Sequence, residues 1–236
     1  MKPLDGKVAI VTGASRGIGL AIARKLVRMG GRIAICARDA ARLNGAAAEL
    51  RGEGATVLAV PADVSRAQDV ADLVQKAEAK LGPIEILINN AGIGFFGPTH
   101  EASEANWDTV LDTNLKSVFL MSKAVARGMI ERRGGHIINI SSLAGKNPLR
   151  NGAAYAASKW GLNGLSYSVA EELRGHNVRV SVVCPGSVNT ELSPHAGKDV
   201  GKMLQPEDVA HAVAMLVTQA PQSFVSEVLI RPTQKP

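Results

Sequence analysis

Short apolar runs alternate with longer amphipathic segments along nearly all of the 236 residues, and this alternation constrains the fold most. The apolar runs predict strands at residues 7–11, 32–38, 55–62, 84–89, 136–140, 178–183 and 227–231. The amphipathic segments predict helices at residues 18–29, 39–51, 65–81, 103–131, 153–173 and 206–218, and Ser65 is expected to cap the third of them. We therefore expect one domain, residues 1–236, with a doubly wound parallel sheet of about seven strands and helices on both faces.

Composition argues against several classes of protein. The formal net charge is +6, but the basic residues are scattered, with Arg132-Arg133 as the longest cluster, and only 3% of residues are aromatic. This pattern disfavours nucleic-acid binding and leaves a solvated basic surface or an acidic, phosphate-bearing substrate. Apolar stretches are shorter than the roughly 20 residues of a membrane span, so we expect no membrane insertion. Cys36 and Cys184 lie inside apolar runs, which predicts free thiols and a cytoplasmic location.

A glycine-rich segment, TGASRGIG at Thr12–Gly19, joins the first predicted strand to the first predicted helix. Its three glycines have the spacing GxxxGxG rather than the common GxGxxG of dinucleotide-binding loops. Glycines let the backbone approach a pyrophosphate, and N–H groups at a helix start attract its charge. A plain glycine turn is the alternative. The residues expected to contact a dinucleotide here are Gly13, Ser15, Arg16, Gly17, Ile18 and Gly19.

The end of the second predicted strand bears on which dinucleotide would bind. NAD enzymes usually place a carboxylate there for the ribose hydroxyls, but this chain has Ala37 followed by Arg38. Arg38 and Arg16 could bind the 2′-phosphate of NADP, and two charge-assisted hydrogen bonds of about 1.5–3 kcal/mol each would favour NADP by roughly 10² to 10⁴. Asp39 is expected to start the next helix. We predict NADPH as the cofactor; the alternative is that both arginines are surface charges.

Small and polar residues follow the other predicted strands. Asp63 comes after the third strand and could bind the adenine amino group or be an ordinary loop acid. Asn90 follows the fourth strand, Ser142 the fifth, and Pro185-Gly186 the sixth. Because ligands of open parallel sheets bind outside the carboxyl ends of the strands, we expect these residues to meet in one crevice.

Tyr155 and Lys159 are four residues apart in a predicted helix, so they would lie one turn apart on one face. An ammonium at roughly 4 Å from the phenol, with an effective dielectric of about 20, would stabilise the phenolate by about 4 kcal/mol. That interaction would bring the pKa of the tyrosine from about 10 towards about 7, although desolvation would oppose it. Such a tyrosine could exchange protons near neutral pH. YxxxK by itself also fits an ordinary helix.

Residues 187–205 lack periodicity, which predicts a lid over the crevice. His195 within this segment could contact substrate, or it could be a solvated loop histidine. The five histidines show no metal-ligand spacing such as HExxH, so we expect no catalytic metal.

Taken together, these motifs resemble the short-chain dehydrogenase/reductase family over essentially the whole chain. The matching pieces, in the family's order and spacing, are Thr12–Gly19, Asp63, Asn89–Gly92 (NNAG), Asn114, Ser142, Tyr155, Lys159, Pro185-Gly186 and Thr190. The resemblance implies a Rossmann-type fold that binds NADP. Its cofactor contacts would also include Val64, Asn90, Ala91, Gly92 and Val188.

The resemblance also implies roles for the catalytic residues. Tyr155 would be the general acid/base, and Lys159 would lower its pKa and bind the nicotinamide ribose. Ser142 would donate a hydrogen bond to the substrate carbonyl. Asn114 would hold a water molecule that connects Lys159 to solvent. Thr190 and the backbone near Val188 would hold the carboxamide.

Within the family, the chain resembles 3-oxoacyl-(acyl-carrier-protein) reductases, which would reduce a 3-oxoacyl thioester to a secondary alcohol. Residues 226–233, SEVLIRPT, are closer to dehydrogenases of small 3-hydroxy acids, alcohols or ketones, which remain the alternative. A non-catalytic NADP-binding regulatory protein is a more remote alternative.

Family members pair the two helices that start near Asn114 and Ala153, so we expect a homodimer or homotetramer. Small residues on these helices fit that expectation, or tight packing within one subunit: Ala124, Ala126, Gly128, Gly161, Gly164 and Ala170.

Overall fold

A parallel sheet organises the computed structural model, which describes residues 2–192 and 197–236. The strands are β1 (Val8–Thr12), β2 (Arg32–Ala37), β3 (Val57–Pro61), β4 (Ile86–Asn89), β5 (Gly135–Ile140), β6 (Val178–Pro185) and β7 (Glu227–Ile230). Over the described residues their order is β3-β2-β1-β4-β5-β6-β7, and every neighbouring pair is parallel. The chain winds outward in both directions from the β1–β4 pair, which confirms the predicted doubly wound fold.

Helices cover both faces of this sheet, as predicted. They are α1 (Gly17–Arg28), α2 (Ala40–Gly52), α3 (Ala67–Leu81), α4 (Glu104–Leu111), α5 (Ser117–Glu131), α6 (Ala153–Arg174) and α7 (Pro206–Val217). On one face, α1, α2 and α7 bury residues such as Leu26, Leu43 and Val213. On the other, α3, α5 and α6 bury residues such as Leu73 and Met121. These aliphatic layers explain why the strands are apolar at nearly every position.

The start of α3 differs from the prediction. We expected Ser65 to cap this helix, but the N-cap residue is Arg66, which makes no side-chain capping bond. Ser65 instead donates its hydroxyl and its backbone N–H to Asp63 Oδ1, at 2.7 and 3.0 Å. Asp63 and Ser65 therefore form a local hydrogen-bonded turn, and the Ser65 hydroxyl is not available to cap the helix. The preceding strand is also shorter than predicted, because it begins at Val57 rather than at residue 55.

Two other helix boundaries matter for the crevice. Asp39 caps α2, as predicted, and its Oδ1 accepts a hydrogen bond from Arg42 N at 3.0 Å. The predicted helix over 103–131 is interrupted by a π-helical turn, Asp112–Lys116, which contains Asn114. Turns of this kind are rare and often occur at functional sites.

Both cysteines are free and buried. Within the described ranges, no helix combines the length and hydrophobicity that a bilayer crossing requires.

Candidate active site

A cleft of about 710 Å³ runs along the carboxyl edge of the sheet. It brings together most of the residues expected from the sequence. Those lining it are Gly13, Ser15, Arg16, Gly17, Ile18, Arg38, Asp63, Val64, Asn90, Ala91, Gly92, Ser142, Tyr155, Lys159, Pro185, Gly186, Val188 and Thr190. Two expected residues, Gly19 and Asn114, do not line it and lie behind its wall.

The glycine loop packs directly against the end of β4. Gly13 has a φ of 64°, and a Cβ there would lie 2.8 Å from the Cα of Ala91. A Cβ on Gly19 would lie 2.4 Å from the Gly13 carbonyl oxygen and 2.5 Å from Asn90 Nδ2. Asn90 Nδ2 donates to the carbonyl oxygens of Thr12 and Gly13, at 2.9 and 3.2 Å. Gly19 lies behind the cleft, where its lack of a side chain lets α1 approach the loop, and its contact with the cofactor stays a prediction.

The Thr12 hydroxyl oxygen connects the same two strand ends. It accepts hydrogen bonds from the backbone N–H groups of Asn90 and Ala91, both at 3.0 Å. The crevice between β1 and β4 therefore has a hydrogen-bonded floor, and this fixes the glycine loop relative to the second half of the sheet.

Arginine side chains collect at the end of the cleft that lies beyond β2. Arg16 and Arg38 are exposed there, as expected. Arg42, from the first turn of α2, joins them and was missed by the sequence analysis, since an arginine on a helix surface gives no distinctive signal. The carboxylate of Glu191 makes ion pairs with Arg16 and with Arg42. This end of the cleft is therefore a cationic cluster that already holds one carboxylate.

Asp63 lies beside this cluster. Partial burial raises the pKa of its carboxyl, but hydrogen bonds from Ser65 and the positive charges of Arg38 and Arg66 outweigh that effect and leave the pKa lowered. The carboxylate stays ionised at neutral pH and can accept further hydrogen bonds, so contact with an adenine amino group stays a prediction.

Tyr155, Ser142 and Lys159 converge at the other end of the cleft. Tyr155 is half-buried, and Lys159 is buried, with 4% of its surface exposed. The Lys159 ammonium lies 5.7 Å from the centre of the Tyr155 ring and donates to the Ile140 carbonyl oxygen at 2.9 Å. The two groups that the YxxxK spacing singled out therefore share one face and one cavity.

The predicted lowering of the tyrosine pKa does not occur in this structure. Burial raises the pKa of Tyr155 above its usual value, and the hydrogen bond with Ser142 opposes that change only in part. Burial also lowers the pKa of Lys159 to about 8. The expectation assumed an ammonium at roughly 4 Å from the phenol, whereas the ammonium here is held by a β5 carbonyl, and desolvation is the larger effect.

Asn114 connects the β4–α4 loop to α6. Its Nδ2 donates to the Ile93 carbonyl oxygen at 2.8 Å and to Ser158 Oγ at 3.0 Å, and its Oδ1 accepts from Ile93 N at 2.8 Å. Its side chain is buried, and a Cβ on Gly92 would lie 3.4 Å from Asn114 Oδ1 and 3.8 Å from Lys159 Nζ. Asn114 thus lies close to Lys159, while a role in holding water stays a prediction.

The mouth of the cleft beside Tyr155 is apolar. The Phe96 ring lies 5.7 Å from the Tyr155 ring, centre to centre, at an angle of 51°. Phe95 and Leu192 line the cleft, and they and Phe96 are about 40–45% exposed. The sequence analysis missed these apolar residues; their only signal is the doublet Phe95-Phe96, which begins three residues after the glycine of the NNAG motif.

The segment after β6 bears on the predicted lid. Val188 forms an isolated parallel bridge with Leu204, so the two ends of this segment are joined. Thr190 Cγ2 would lie 3.5 Å from a Cβ on Gly17, which brings it close to the glycine loop. His195 lies outside the described residues. Among residues 2–192 and 197–236, no group of three or more His, Cys, Asp or Glu side chains is arranged to hold a metal ion.

This geometry agrees with the comparisons with known proteins. The model of the short chain dehydrogenase family matches residues 7–201. The chain belongs to this family. The actinorhodin polyketide ketoreductase, solved as a variant with NADPH, superposes with a TM-score of 0.90 and is 34% identical, with 98% of this chain and 97% of that chain covered.

Two further members of the family are similar along nearly their whole length. A metagenomic short-chain oxidoreductase solved in complex with NADP is 49% identical, with a TM-score of 0.88 and coverage of 99% of this chain and 100% of that chain. The 2-(S)-hydroxypropyl-CoM dehydrogenase 3 of Xanthobacter autotrophicus is 36% identical over 231 residues, or 91% of each chain. The three relatives are thus named as a polyketide ketoreductase, a short-chain oxidoreductase and a hydroxypropyl-CoM dehydrogenase.

Proposed function

We propose that this protein reduces a ketone to a secondary alcohol with NADPH, with Tyr155 as the general acid. The observation that carries the proposal is the convergence of Tyr155, Ser142 and Lys159 in a cleft whose other end has exposed arginines. The residues present fit the cofactor. A side chain on Gly13 would clash with the Ala91 backbone, so glycine there keeps the loop close against the end of β4, and the guanidinium groups match a phosphate in charge and geometry.

Bound NADPH would supply the hydride, while the chain's own residues bind the carbonyl group and deliver the proton. The Ser142 hydroxyl donates a hydrogen bond to the carbonyl oxygen, where negative charge develops. The Tyr155 phenol then transfers its proton to the forming alkoxide. Lys159 places a positive charge beside this site, because a group with a pKa of about 8 is mostly protonated at pH 7.

The raised pKa of Tyr155 suits reduction. A general acid must hold its proton until the alkoxide forms, and burial keeps the phenol protonated at neutral pH. In the oxidising direction the same residue would have to lose that proton first, so oxidation should need higher pH. We also propose that Asn114 helps to hold a water molecule on the path by which Lys159 is reprotonated.

Substitution of the two tyrosines tests the catalytic assignment. Tyr155→Phe removes the transferable proton and should lower kcat by at least about 10². NADPH binding, measured by fluorescence titration, should persist. Tyr167→Phe is the matched control, since Tyr167 is exposed and its hydroxyl bonds only Lys146 and Glu227 among the described residues. Near-normal turnover in Tyr155→Phe, or equal losses in both variants, would refute the assignment.

For the substrate we propose a 3-oxoacyl thioester. Phe96 packs against Tyr155, and Phe95 and Leu192 line the cleft, so the site offers apolar surface to the hydrocarbon part of an acyl chain. The similarity to a polyketide ketoreductase supports this substrate class. A comparison of kcat/KM for an acetoacetyl thioester, free small ketones and free 3-hydroxy acids tests it. A higher value for the thioester is expected, and Phe96→Ala should lower that value more than the value for a small ketone.

A dehydrogenase of small 3-hydroxy acids, alcohols or ketones is the second candidate. The similarity to a dehydrogenase of hydroxypropyl-CoM and the carboxyl-terminal SEVLIRPT favour it. A higher kcat/KM for a free substrate than for the thioester would select this function. A non-catalytic NADP-binding protein is distinguished by a rise in melting temperature with NADPH and no NADPH oxidation with any ketone.

We further propose a homodimer or homotetramer in the cytoplasm. Trp107, Phe119 and Trp160, on α4, α5 and α6, are 43–53% exposed, and a second subunit packed on these helices would bury them. The small residues noted on these helices contribute unequally, because Ala170 is buried within the subunit whereas nothing lies within 4 Å of a Cβ on Gly164. Light scattering should show a multiple of the monomer mass; a monomer-sized particle would dismiss the proposal.

A further inference from the structure

Glu191 carries its carboxylate into the cationic end of the cleft. It makes an ion pair with Arg16 of the glycine loop, and its Oε2 lies 3.6 Å from Arg42 Nη1. Glu191 belongs to the segment that follows β6, directly after Thr190, whereas the two arginines come from the β1–α1 loop and from α2. One acidic side chain therefore spans from the segment after β6 to the adenosine side of the crevice.

Arg42 is oriented towards this cluster by the start of α2. Its backbone N–H donates to Asp39 Oδ1 at 3.0 Å, and its Nε lies 3.6 Å from Asp39 Oδ2. Arg38 lines the same part of the cleft. Three arginines, from the β1–α1 loop, the end of β2 and α2, thus line one cleft. Two of them, Arg16 and Arg42, pair with a carboxylate that has one negative charge and two acceptor oxygens.

We propose that Arg42 is a third residue that binds the 2′-phosphate of NADP, and that Glu191 competes with this phosphate for Arg16 and Arg42. The inference depends on the proposed use of NADP and specifies which residues set the preference for it. A phosphate monoester carries a larger negative charge than a carboxylate, and its oxygens match guanidinium donors in pairs. The phosphate therefore displaces Glu191 from its partners when the cofactor binds.

The exposure of these groups makes the displacement easy. The side chains of Arg16, Arg42 and Glu191 are 54–63% exposed, and ion pairs of this kind contribute little to stability. Removal of the carboxylate charge should thus tighten NADPH binding by a modest factor, about threefold to tenfold. NADH has no 2′-phosphate and does not need Arg42, so its affinity should change by less than about twofold.

The test is a fluorescence titration of NADPH and of NADH, giving Kd for the wild type, Glu191→Gln, Arg42→Gln and the double variant. Glu191→Gln should lower the Kd for NADPH threefold to tenfold. Arg42→Gln should raise it at least about fivefold, with little change in the Kd for NADH. In the double variant the gain from Glu191→Gln should shrink, because one of the contested partners is gone. Glu171→Gln and Arg174→Gln serve as controls, since this pair is similarly exposed and lies outside the cleft.

Several outcomes would overturn the proposal. Weaker NADPH binding by Glu191→Gln would mean that Glu191 supports the bound cofactor rather than competing with it. Equal changes for NADPH and NADH would mean that neither residue acts on the 2′-phosphate. An unchanged Kd in Arg42→Gln would remove Arg42 from the site. These results leave the proposed reductase function intact, whereas failure of the wild type to bind NADPH would overturn both.

Discussion

Replacement of Gly19 by alanine should damage both stability and cofactor binding. A Cβ there would lie 2.4 Å from the Gly13 carbonyl oxygen and 2.5 Å from Asn90 Nδ2, whereas ordinary contact is 3.4–4 Å. The glycine loop or the Asn90 amide must therefore move by about 1 Å. Because the Asn90 amide also holds the Thr12 and Gly13 carbonyl oxygens, the displacement reaches the part of the loop that faces the cleft.

The expected loss combines two opposing effects. Overpacking a tight site costs about 1–3 kcal/mol. Alanine in place of glycine inside a helix stabilises the folded state by about 0.5–1 kcal/mol. The free energy of unfolding should therefore fall by up to about 2.5 kcal/mol, and Tm by up to several degrees, since about 1 kcal/mol corresponds to about 2–4 °C at this chain length. If the substitution destabilises the loop conformation that binds the cofactor by about 1.4 kcal/mol, the Kd for NADPH rises about tenfold.

Thermal unfolding and NADPH titration of Gly19→Ala and Gly45→Ala provide the assay. Gly45 lies inside α2, and nothing approaches within 4 Å of a Cβ at that position. Gly45→Ala should raise the free energy of unfolding by about 0.5–1 kcal/mol and leave the Kd unchanged. The reasoning is refuted if Gly19→Ala keeps the wild-type Tm and Kd, or if Gly45→Ala is equally harmful.

Two further predictions concern buried polar groups. Asn139→Ala removes the acceptor of Asn89 Nδ2 and a donor to Ser166 Oγ, so the free energy of unfolding in urea should fall by at least about 1–3 kcal/mol; a change under about 0.5 kcal/mol would contradict this. The pKa of Lys159, lowered to about 8 by burial, makes the folded protein release this proton before the unfolded chain, where lysine titrates near about 10.4. The free energy of unfolding of the wild type, relative to that of Lys159→Met, should thus rise by up to about 3 kcal/mol between pH 8 and about 10.4. Urea unfolding of both proteins at several pH values measures this difference, and a difference that does not change with pH would reject the lowered pKa.

The fold was predictable because burial dictates a pattern that the sequence displays. Strands covered on both faces must be apolar throughout, and helices that cover them need one apolar stripe, so the order of elements follows from periodicity. Local competition was harder to foresee. Asp39 caps α2 as expected, because its Oδ1 accepts from the Arg42 backbone N–H, whereas Ser65 fails to cap α3 because its hydroxyl donates to Asp63.

The sequence identified most of the residues that line the cleft, but it did not predict the pKa of Tyr155. A spacing of four places Tyr155 and Lys159 on one face, but it does not say where a long side chain ends. The Lys159 ammonium is held by the carbonyl of Ile140, nineteen residues earlier in the chain, and only the fold brings them together. Arg42 and Phe96 were missed for a similar reason, since an arginine on a helix and a loop phenylalanine acquire a role only from what they face.

The order of strands places the residues expected to select the coenzyme far from the residues expected to transfer the proton. Two arginines of the cationic end, Arg38 and Arg42, follow β2, whereas Ser142 follows β5, three strand intervals away along the order β2-β1-β4-β5. At about 4.8 Å per interval this is about 14 Å, which exceeds the Debye length of about 8 Å at physiological ionic strength. Charges can therefore be exchanged beside β2 to redirect the chain towards NADH, with little electrostatic effect on proton transfer at Tyr155. Coenzyme choice and acid–base chemistry can be engineered independently in this scaffold.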